Sequence, residues 1–239
     1  MNELNYVISM TSVPSRFKTT LPTVIKEIQK SIPNVEIIVS IPKSYRKGWE
    51  WNEPDLDEIK KISTLNIVEE DWGPATKLLG GIEWVKNNNL NIDSIITFDD
   101  DIILNDFKLQ VQNLSTNFLN KKCIITSRGL KASYAPYYSG NGLFGIEESY
   151  CDGVAGFLGV FYPSTFWEND TCFDLIKSDN LFYSEDDAYF GAVAKTLNIN
   201  IWSTKLYTKW RALDSWSAVA EGGNRRERES KLYSKIVNI

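Results

Sequence analysis

Four short apolar runs, Tyr6 to Met10, Val35 to Ile41, Leu65 to Val68 and Ser94 to Phe98, alternate with stretches whose apolar residues recur at helical spacing. This alternation constrains the fold more than any other feature of the chain. Between the first two runs, Leu21, Val24, Ile25, Ile28 and Ile32 share one helix face, and Pro33-Asn34 ends the pattern. Pro42 to Pro54 reads as a long surface loop, Leu56 to Ile62 as a short helix, and Ala75 to Lys86 as a helix with Leu78, Leu79, Ile82, Trp84 and Val85 as its stripe despite Gly80-Gly81. Strand, helix and strand in repeated succession imply a parallel, open α/β sheet whose ligands bind outside the carboxyl ends of the strands.

The second half is less regular. Lys122 to Thr126 and Ile199 to Ser203 are expected strands, Tyr134 to Tyr150 a loop or irregular hairpin, and Gly153 to Phe161 an apolar run interrupted by glycine. Phe182 to Leu197 reads as a helix with an acidic start, which the helix dipole favours. The tail from Asp214 to Arg228 is polar and basic and is expected to be mobile until an anion binds.

The chain has 239 residues, of which 43% are hydrophobic and 24% charged, enough for a substantial core in one large domain or two small ones. Lys and Arg number 26 against 31 Asp and Glu, a net charge of −5, which gives no general positive field for a nucleic-acid backbone or an anionic membrane. Histidine is absent, excluding Ser/His/Asp hydrolysis, His-ligated zinc and imidazole acid/base chemistry. Cys123, Cys151 and Cys172 lie far apart without a CxxC pair, which disfavours a thiolate zinc site or a disulfide framework. No basic segment followed by an apolar stretch opens the chain, and no window approaches the ~18 apolar residues of a membrane span. The expectation is a cytoplasmic protein with at most peripheral membrane contact.

Asp99-Asp100-Asp101 directly follows the SIITF run, and three adjacent carboxylates at the end of a buried strand repel one another. A hard divalent ion, Mn²⁺ or Mg²⁺, relieves that repulsion, taking one or two carboxylates and completing its shell with water and phosphate oxygens. The alternative is a solvated acidic turn. A second acidic knot, Glu185-Asp186-Asp187, stands where a loop enters a helix, and such carboxylates are either helix caps or, in a chain without His, the available general base. Thr11-Ser12-Val13-Pro14-Ser15-Arg16 follows the first strand, where α/β sheets bind nucleotides. Asp71 to Lys77 offers a carboxylate, a ring and a cation ahead of a helix, where backbone N–H groups and Lys77 can meet phosphate or a base. Eight Trp and eleven Tyr include loop residues such as Trp49, Trp51, Trp210 and Trp216, whose faces stack on sugars or simply pack.

Together ISMTSVPSR (Ile8 to Arg16), DWGPATKLLGGI (Asp71 to Ile82), IITFDDDIIL (Ile95 to Leu104), CDGVAGFLGVFYP (Cys151 to Pro163) and SEDDAYFGAVAKTLNI (Ser184 to Ile199) resemble the GT-A class of nucleotide-sugar glycosyltransferases over most of the chain. The first three blocks are similar to those of poorly characterised bacterial and large-virus members. The resemblance implies an α/β fold, a single Rossmann-like domain over residues 1–239 with a mostly parallel central sheet flanked by helices. Its nucleotide-sugar-binding half would be about 1–105 and its acceptor-binding half about 106–239. It further implies that Asp99 binds ribose and Asp101 the metal, with Asp99 and Asp100 facing the donor and Asp99 also available to the ion. Thr11, Ser12 and Arg16 would line the nucleoside site, Lys77 would lie near base or phosphates, and Gly153 to Gly156 beside donor sugar and acceptor. Asp186, flanked by Glu185, would be the base of an inverting transfer. Many members add a C-terminal His to the metal, absent here, and Arg225, Arg226 or Arg228 would supply charge to the leaving diphosphate.

The implied reaction is hexosyl or deoxyhexosyl transfer from a nucleoside-diphosphate sugar, UDP-linked by preference, to a glycan hydroxyl. Retaining transfer shares the fold and the Asp triplet. Haloacid-dehalogenase-like phosphatases also carry Asp-x-Asp after a strand, but near the chain start, and Ile103 stands where they commonly have Thr or Val. A non-catalytic sugar- or nucleotide-binding module is the remaining alternative, since fold does not fix function.

Overall fold

The structure, a computed structural model, describes residues 4–130, 148–178 and 186–214. In chain order the strands are β1 (Tyr6–Met10), β2 (Ile37–Pro42), β3 (Thr64–Val68), β4 (Ser94–Thr97), β5 (Ile102–Leu104), β6 (Ile124–Thr126), β7 (Gly129–Leu130), β8 (Ser149–Cys151), β9 (Gly153–Val154), β10 (Val160–Pro163), β11 (Ile201–Ser203) and β12 (Trp210–Ala212). The helices are α1 (Thr20–Ser31), α2 (Asp57–Ile62), α3 (Thr76–Asn87), α4 (Phe107–Lys121), α5 (Thr171–Ser178) and α6 (Asp186–Thr196).

Eight strands form one sheet in the order β3-β2-β1-β4-β10-β6-β11-β8. Strands β3, β2, β1 and β4 are mutually parallel, as are β6 and β11, whereas β10 runs antiparallel to both β4 and β6, and β8 antiparallel to β11. The expected α/β class, a mostly parallel central sheet flanked by helices, is therefore present. Successive strand residues alternate between two cores. Val7, Ile38, Ile95, Ile124, Val160 and Tyr162 face the layer of α3, α5 and α6. Ile8, Met10, Val39, Ile96, Ile125 and Phe161 face that of α1, α2 and α4. Burial on both faces makes the inner strands β1, β2, β4 and β10 nearly continuous apolar runs, the pattern visible in the sequence, whereas the edge strands β3 and β8 are partly exposed.

Three features differ from the sequence-based expectation. The sequence pattern does not predict the long helix α4, because Gln, Asn, Ser and Thr crowd its turns and weaken its propensity. Asp106 nevertheless caps it, accepting from Leu109 N at 2.8 Å, and Phe107, Val111 and Leu114 bury one face. The run Gly153 to Phe161 divides into β9, a 3₁₀ turn at Gly156–Leu158, and β10. Gly159 makes that division with φ 98°, and a Cβ there would lie 2.5 Å from the Phe98 ring. Finally, β12 pairs antiparallel with β5, and Leu213 N donates to Asp101 O at 2.7 Å, which returns the chain to the Asp triplet. Most of the Tyr134 to Tyr150 loop and the tail beyond Asp214 lie outside the described residues.

Helix α3 lies unusually close to the sheet. Ser9 of β1 and Ser40 of β2 face it with small side chains, and a Cβ on Gly81 or Gly80 would collide with them. A glycine inside a helix costs about 1 kcal/mol relative to alanine, and here the missing side chains let the helix settle onto β1 and β2. Ser9 Oγ donates to the carbonyl of Lys77, fixing the first turn of α3 against the strand.

Candidate functional site

In the strand order β3-β2-β1-β4, the connections leave β1 toward opposite sides, so a crevice opens beyond the carboxyl ends of β1 and β4. The loop after β1 and the Asp triplet after β4 occupy that crevice. A 3₁₀ turn at Pro14–Arg16 directs Arg16 inward, where it is 7% exposed. Its Nη1 pairs with Asp100 Oδ1 at 2.7 Å, and its Nη2 with Asp101 Oδ2 at 2.9 Å and Asp214 Oδ2 at 3.2 Å. Burial opposes the charge of Arg16, but Asp100 and Asp101 more than offset it, and its pKa is raised. Ser12 Oγ donates to the second oxygen of Asp100, Tyr45 OH donates to Ser12 O at 2.7 Å, and Thr11 Oγ1 donates to Ser40 O at 2.7 Å.

The triplet is thus divided by environment. Asp100 is 5% exposed with both oxygens engaged, and burial pushes its pKa up to about 6 against the pull of Arg16 and Ser12. The side chains of Asp99 and Asp101 keep 31% and 19% of their exposure. Burial and then the neighbouring Asp99 raise the pKa of Asp101, with Arg16 and Lys77 opposing. Sequence reasoning places Asp100 among the donor contacts, whereas here it ties the triplet to the β1 loop.

The second acidic knot meets the triplet through Lys77. Lys77 is 5% exposed, and its Nζ lies 2.7 Å from Asp99 Oδ1 and 2.8 Å from Asp186 Oδ2. Burial disfavours its charge, but Asp186, Asp99 and Asp187 outweigh that and raise its pKa well above the usual lysine value. Sequence reasoning puts Lys77 near base or phosphates, and its position among carboxylates follows from the close seating of α3. Asp187 Oδ1 accepts from Gly156 N at 2.7 Å. Its pKa is raised well above the ordinary value, first by burial and then by Asp186, against Lys77 and the Gly156 N–H. Both acids in the first turn of α6 therefore face the crevice groups instead of capping their own helix. Gly153, in β9, pairs with Leu130 beside this knot.

Asp71 is buried and accepts from Arg46 N at 2.7 Å and Gly73 N at 2.8 Å, which joins the loop after β2 to the approach to α3. Asp187 and Gly156 are singled out from sequence only within the acidic knot and the Gly153 to Gly156 segment, and the structure pairs them with each other, whereas Asp214 is an addition to the residues singled out from sequence. Asp214 gives no local signal, since 198 positions separate it from Arg16. Glu185, Arg225, Arg226 and Arg228 lie outside the described residues.

Asp99, Asp100, Asp101, Asp186, Asp187 and Asp214 thus surround two paired cations, Arg16 and Lys77, leaving a surplus of negative charge. That surplus, with Asp99 and Asp101 the more accessible carboxylates of the triplet, suits a divalent ion. Among the described residues no group of three or more acidic, His or Cys side chains is placed to hold a metal ion. A two-carboxylate site completed by phosphate oxygens and water is the kind Mg²⁺ uses.

No family model matches the sequence, and neither does any curated protein. Among solved structures the chain is similar to A197 from STIV, with 12% identity, 89% of this chain and 87% of that one covered, and a TM-score of 0.48. It is also similar to CMP:2-keto-3-deoxy-manno-octonic acid synthetase complexed with CTP, with 9% identity, coverage of 98% and 99%, and a TM-score of 0.48. A third likeness is to glucosyl-3-phosphoglycerate synthase from Mycobacterium tuberculosis in complex with Mn²⁺, UDP and phosphoglyceric acid, with 16% identity and a TM-score of 0.37. That match covers 52% of this chain and 42% of the synthase. Substrate and chemistry for the present chain rest on its own residues. No helix among the described residues is long and apolar enough to cross a membrane.

Proposed function

We propose that the chain transfers a sugar from a nucleoside-diphosphate sugar, UDP-linked by preference, to a hydroxyl of a glycan acceptor, inverting the anomeric centre. In this reading residues 1–239 act as one domain, with donor binding in about 1–105 and acceptor binding in about 106–239. The observation that carries it is Lys77, which draws Asp99 of the triplet and Asp186 of the second knot to within 2.8 Å of one ammonium group. The two acidic motifs, 87 positions apart (186 − 99), become one site at the end of β4.

Thr11 and Ser12 line the nucleoside end of the crevice, and Arg16 fixes the triplet. Asp99 and Asp101 would hold Mn²⁺ or Mg²⁺, which when bound supplies positive charge against the diphosphate. Asp100 is a positioning residue. Asp186 takes the proton of the acceptor hydroxyl while the acceptor oxygen bonds to the anomeric carbon and the nucleoside diphosphate departs with the electron pair of the broken bond. Lys77 holds the Asp186 carboxylate in place, and the Gly156 N–H holds Asp187 beside it. Glu185 would flank the base, and Arg225 or Arg226 of the basic tail would supply positive charge to the leaving diphosphate.

The test is incubation of the full chain with a panel of UDP-sugars, glycan acceptors and Mn²⁺, followed by separation of the products. Glycoside product with one UDP released per transfer is expected. Phosphate release from p-nitrophenyl phosphate without sugar transfer would instead favour a phosphatase, and UDP binding without turnover across the panel a binding module.

A further inference from the structure

The segment from Lys205 to Arg211 links β11 to β12 and is pinned along one side to the region of α4. Asn113 Nδ2 donates to Lys205 O at 2.8 Å, Asp106 N to Thr208 Oγ1 at 3.1 Å, and Asn105 N to Lys209 O at 2.9 Å. Held in this way, it exposes Lys205, Tyr207, Lys209, Trp210 and Arg211 to solvent. Tyr207 is 54% exposed and Trp210 39%. Three cations lie within seven residues, without an acid from Ile201 to Leu213, on a chain whose net charge is −5. Among the described residues no carboxylate pairs with Lys205, Lys209 or Arg211, although other surface lysines such as Lys18, Lys26 and Lys43 have acidic partners.

The rings are held as well as exposed. Lys205 Nζ lies 5.8 Å over the Tyr207 ring, and the Trp210 ring stands edge-on to Phe157 at 5.2 Å. Phe157 follows Gly156, whose N–H holds Asp187, so the strip ends at the rim of the carboxylate site. Seven extended residues span at most roughly 25 Å, room for several sugar rings in a row. Ring faces offer apolar contact to sugars, and unpaired lysine and arginine offer charge-assisted hydrogen bonds to anionic groups.

We infer that the Lys205–Arg211 strip binds a glycan bearing carboxylate or phosphate groups and leads it toward Asp186, so that the acceptor of the proposed reaction is an anionic glycan. This rests on the transferase reading. The strip keeps the charges of the polymer on its own cations and away from Asp99 to Asp101. A lipid surface fits less well, because the Phe157 contact of Trp210 and the hydrogen bonds to the region of α4 hold the strip against the protein, whereas a sugar can meet the exposed parts of both rings where they stand.

Calorimetric titration of the full chain tests this, with oligogalacturonate, its methyl ester and phosphorylated dextran oligomers as separate ligands, and with UDP plus Mn²⁺ as the independent donor readout. Binding of at least one of the two charged glycans is expected, and whichever binds identifies the anionic group. The methyl ester should bind less tightly than oligogalacturonate if carboxylate is that group. The triple variant Lys205→Ser, Lys209→Ser, Arg211→Ser should weaken binding of the charged glycan by about tenfold, with UDP affinity and melting temperature unchanged. Binding of neither charged glycan would overturn the inference, as would undiminished binding by the triple variant. Vesicles of phosphatidylglycerol that bind where both charged glycans do not would assign the strip to lipid instead. If charged glycans bind as described while UDP does not, the strip stands as a glycan surface and the donor assignment fails.

Discussion

The sheet consists of two unlike halves that meet where β4 pairs with β10. On one side β3, β2, β1 and β4 are all parallel, and α1, α2 and α3 connect them in order. On the other, β10, β6, β11 and β8 are three or four residues long and change direction three times from β4 to β8. The regular half supplies the cations Arg16 and Lys77 from firmly packed positions. The irregular half brings carboxylates to them: Asp186 to Lys77, and Asp214 to Arg16. Regular α/β architecture therefore fixes the charges that must not move, while short strands and turns deliver partners from distant parts of the chain.

The largest effect expected from breaking this division is chemical. Asp186→Asn should lower turnover by about 10²- to 10⁴-fold, the usual contribution of a general base, while UDP affinity with Mn²⁺ stays close to that of the parent. Steady-state kinetics beside UDP titration checks this, and an unimpaired variant removes Asp186 from the chemistry. Lys77→Met strikes the link between the halves. It strands buried Asp186 and partly exposed Asp99 without their cation, at a cost of about 3–5 kcal/mol, most of it from Asp186, read as a lower denaturation midpoint. Adding Asp186→Asn to Lys77→Met should recover part of that loss, because one of the stranded charges is gone.

The third effect belongs to Asp100 in the regular half. Its carboxyl ionises near 3.8 in an unfolded chain and at about 6 in the fold. The folded state therefore holds the extra proton between those values, and stability from this group is full below about pH 4, falls as pH rises through 6, and is flat above. The span corresponds to on the order of 3 kcal/mol. Denaturant titrations of the metal-free protein across this range should show the decline, and Asp100→Asn should flatten it. Smallest is Asp214→Asn, which weakens a half-exposed pair and should cost less than about 1 kcal/mol. A much larger loss would mean that the return of the chain through β12 is as structurally important as the regular half.

The same contrast explains what the sequence discloses. Tyr6 to Met10 coincides with β1, and the helical stripe from Leu78 to Val85 falls within α3, because burial on both strand faces and on one helix face leaves a local pattern. Helix α4 shows only Asp106 and a sparse stripe of Phe107, Val111 and Leu114 among polar residues, a weaker signal. The β5–β12 pair depends on contact between residues about a hundred positions apart, as Leu104 with Trp210, and no local period records it. Within the candidate site the acidic residue types are legible as two motifs. Their junction is not, since the reach of Lys77 depends on Gly81 and Ser9 allowing α3 to approach β1. That packing puts Lys77 between Asp99 and Asp186, a placement no local sequence pattern records.

The central claim is that the crevice between β1 and β4 takes a nucleoside diphosphate together with a divalent ion. Titration of UDP into the full chain, with and without Mn²⁺, tests it directly. Saturable binding that requires Mn²⁺ and is lost in Asp101→Asn is the predicted result. Absence of UDP binding, or binding equally tight without the ion and in Asp101→Asn, would contradict the account.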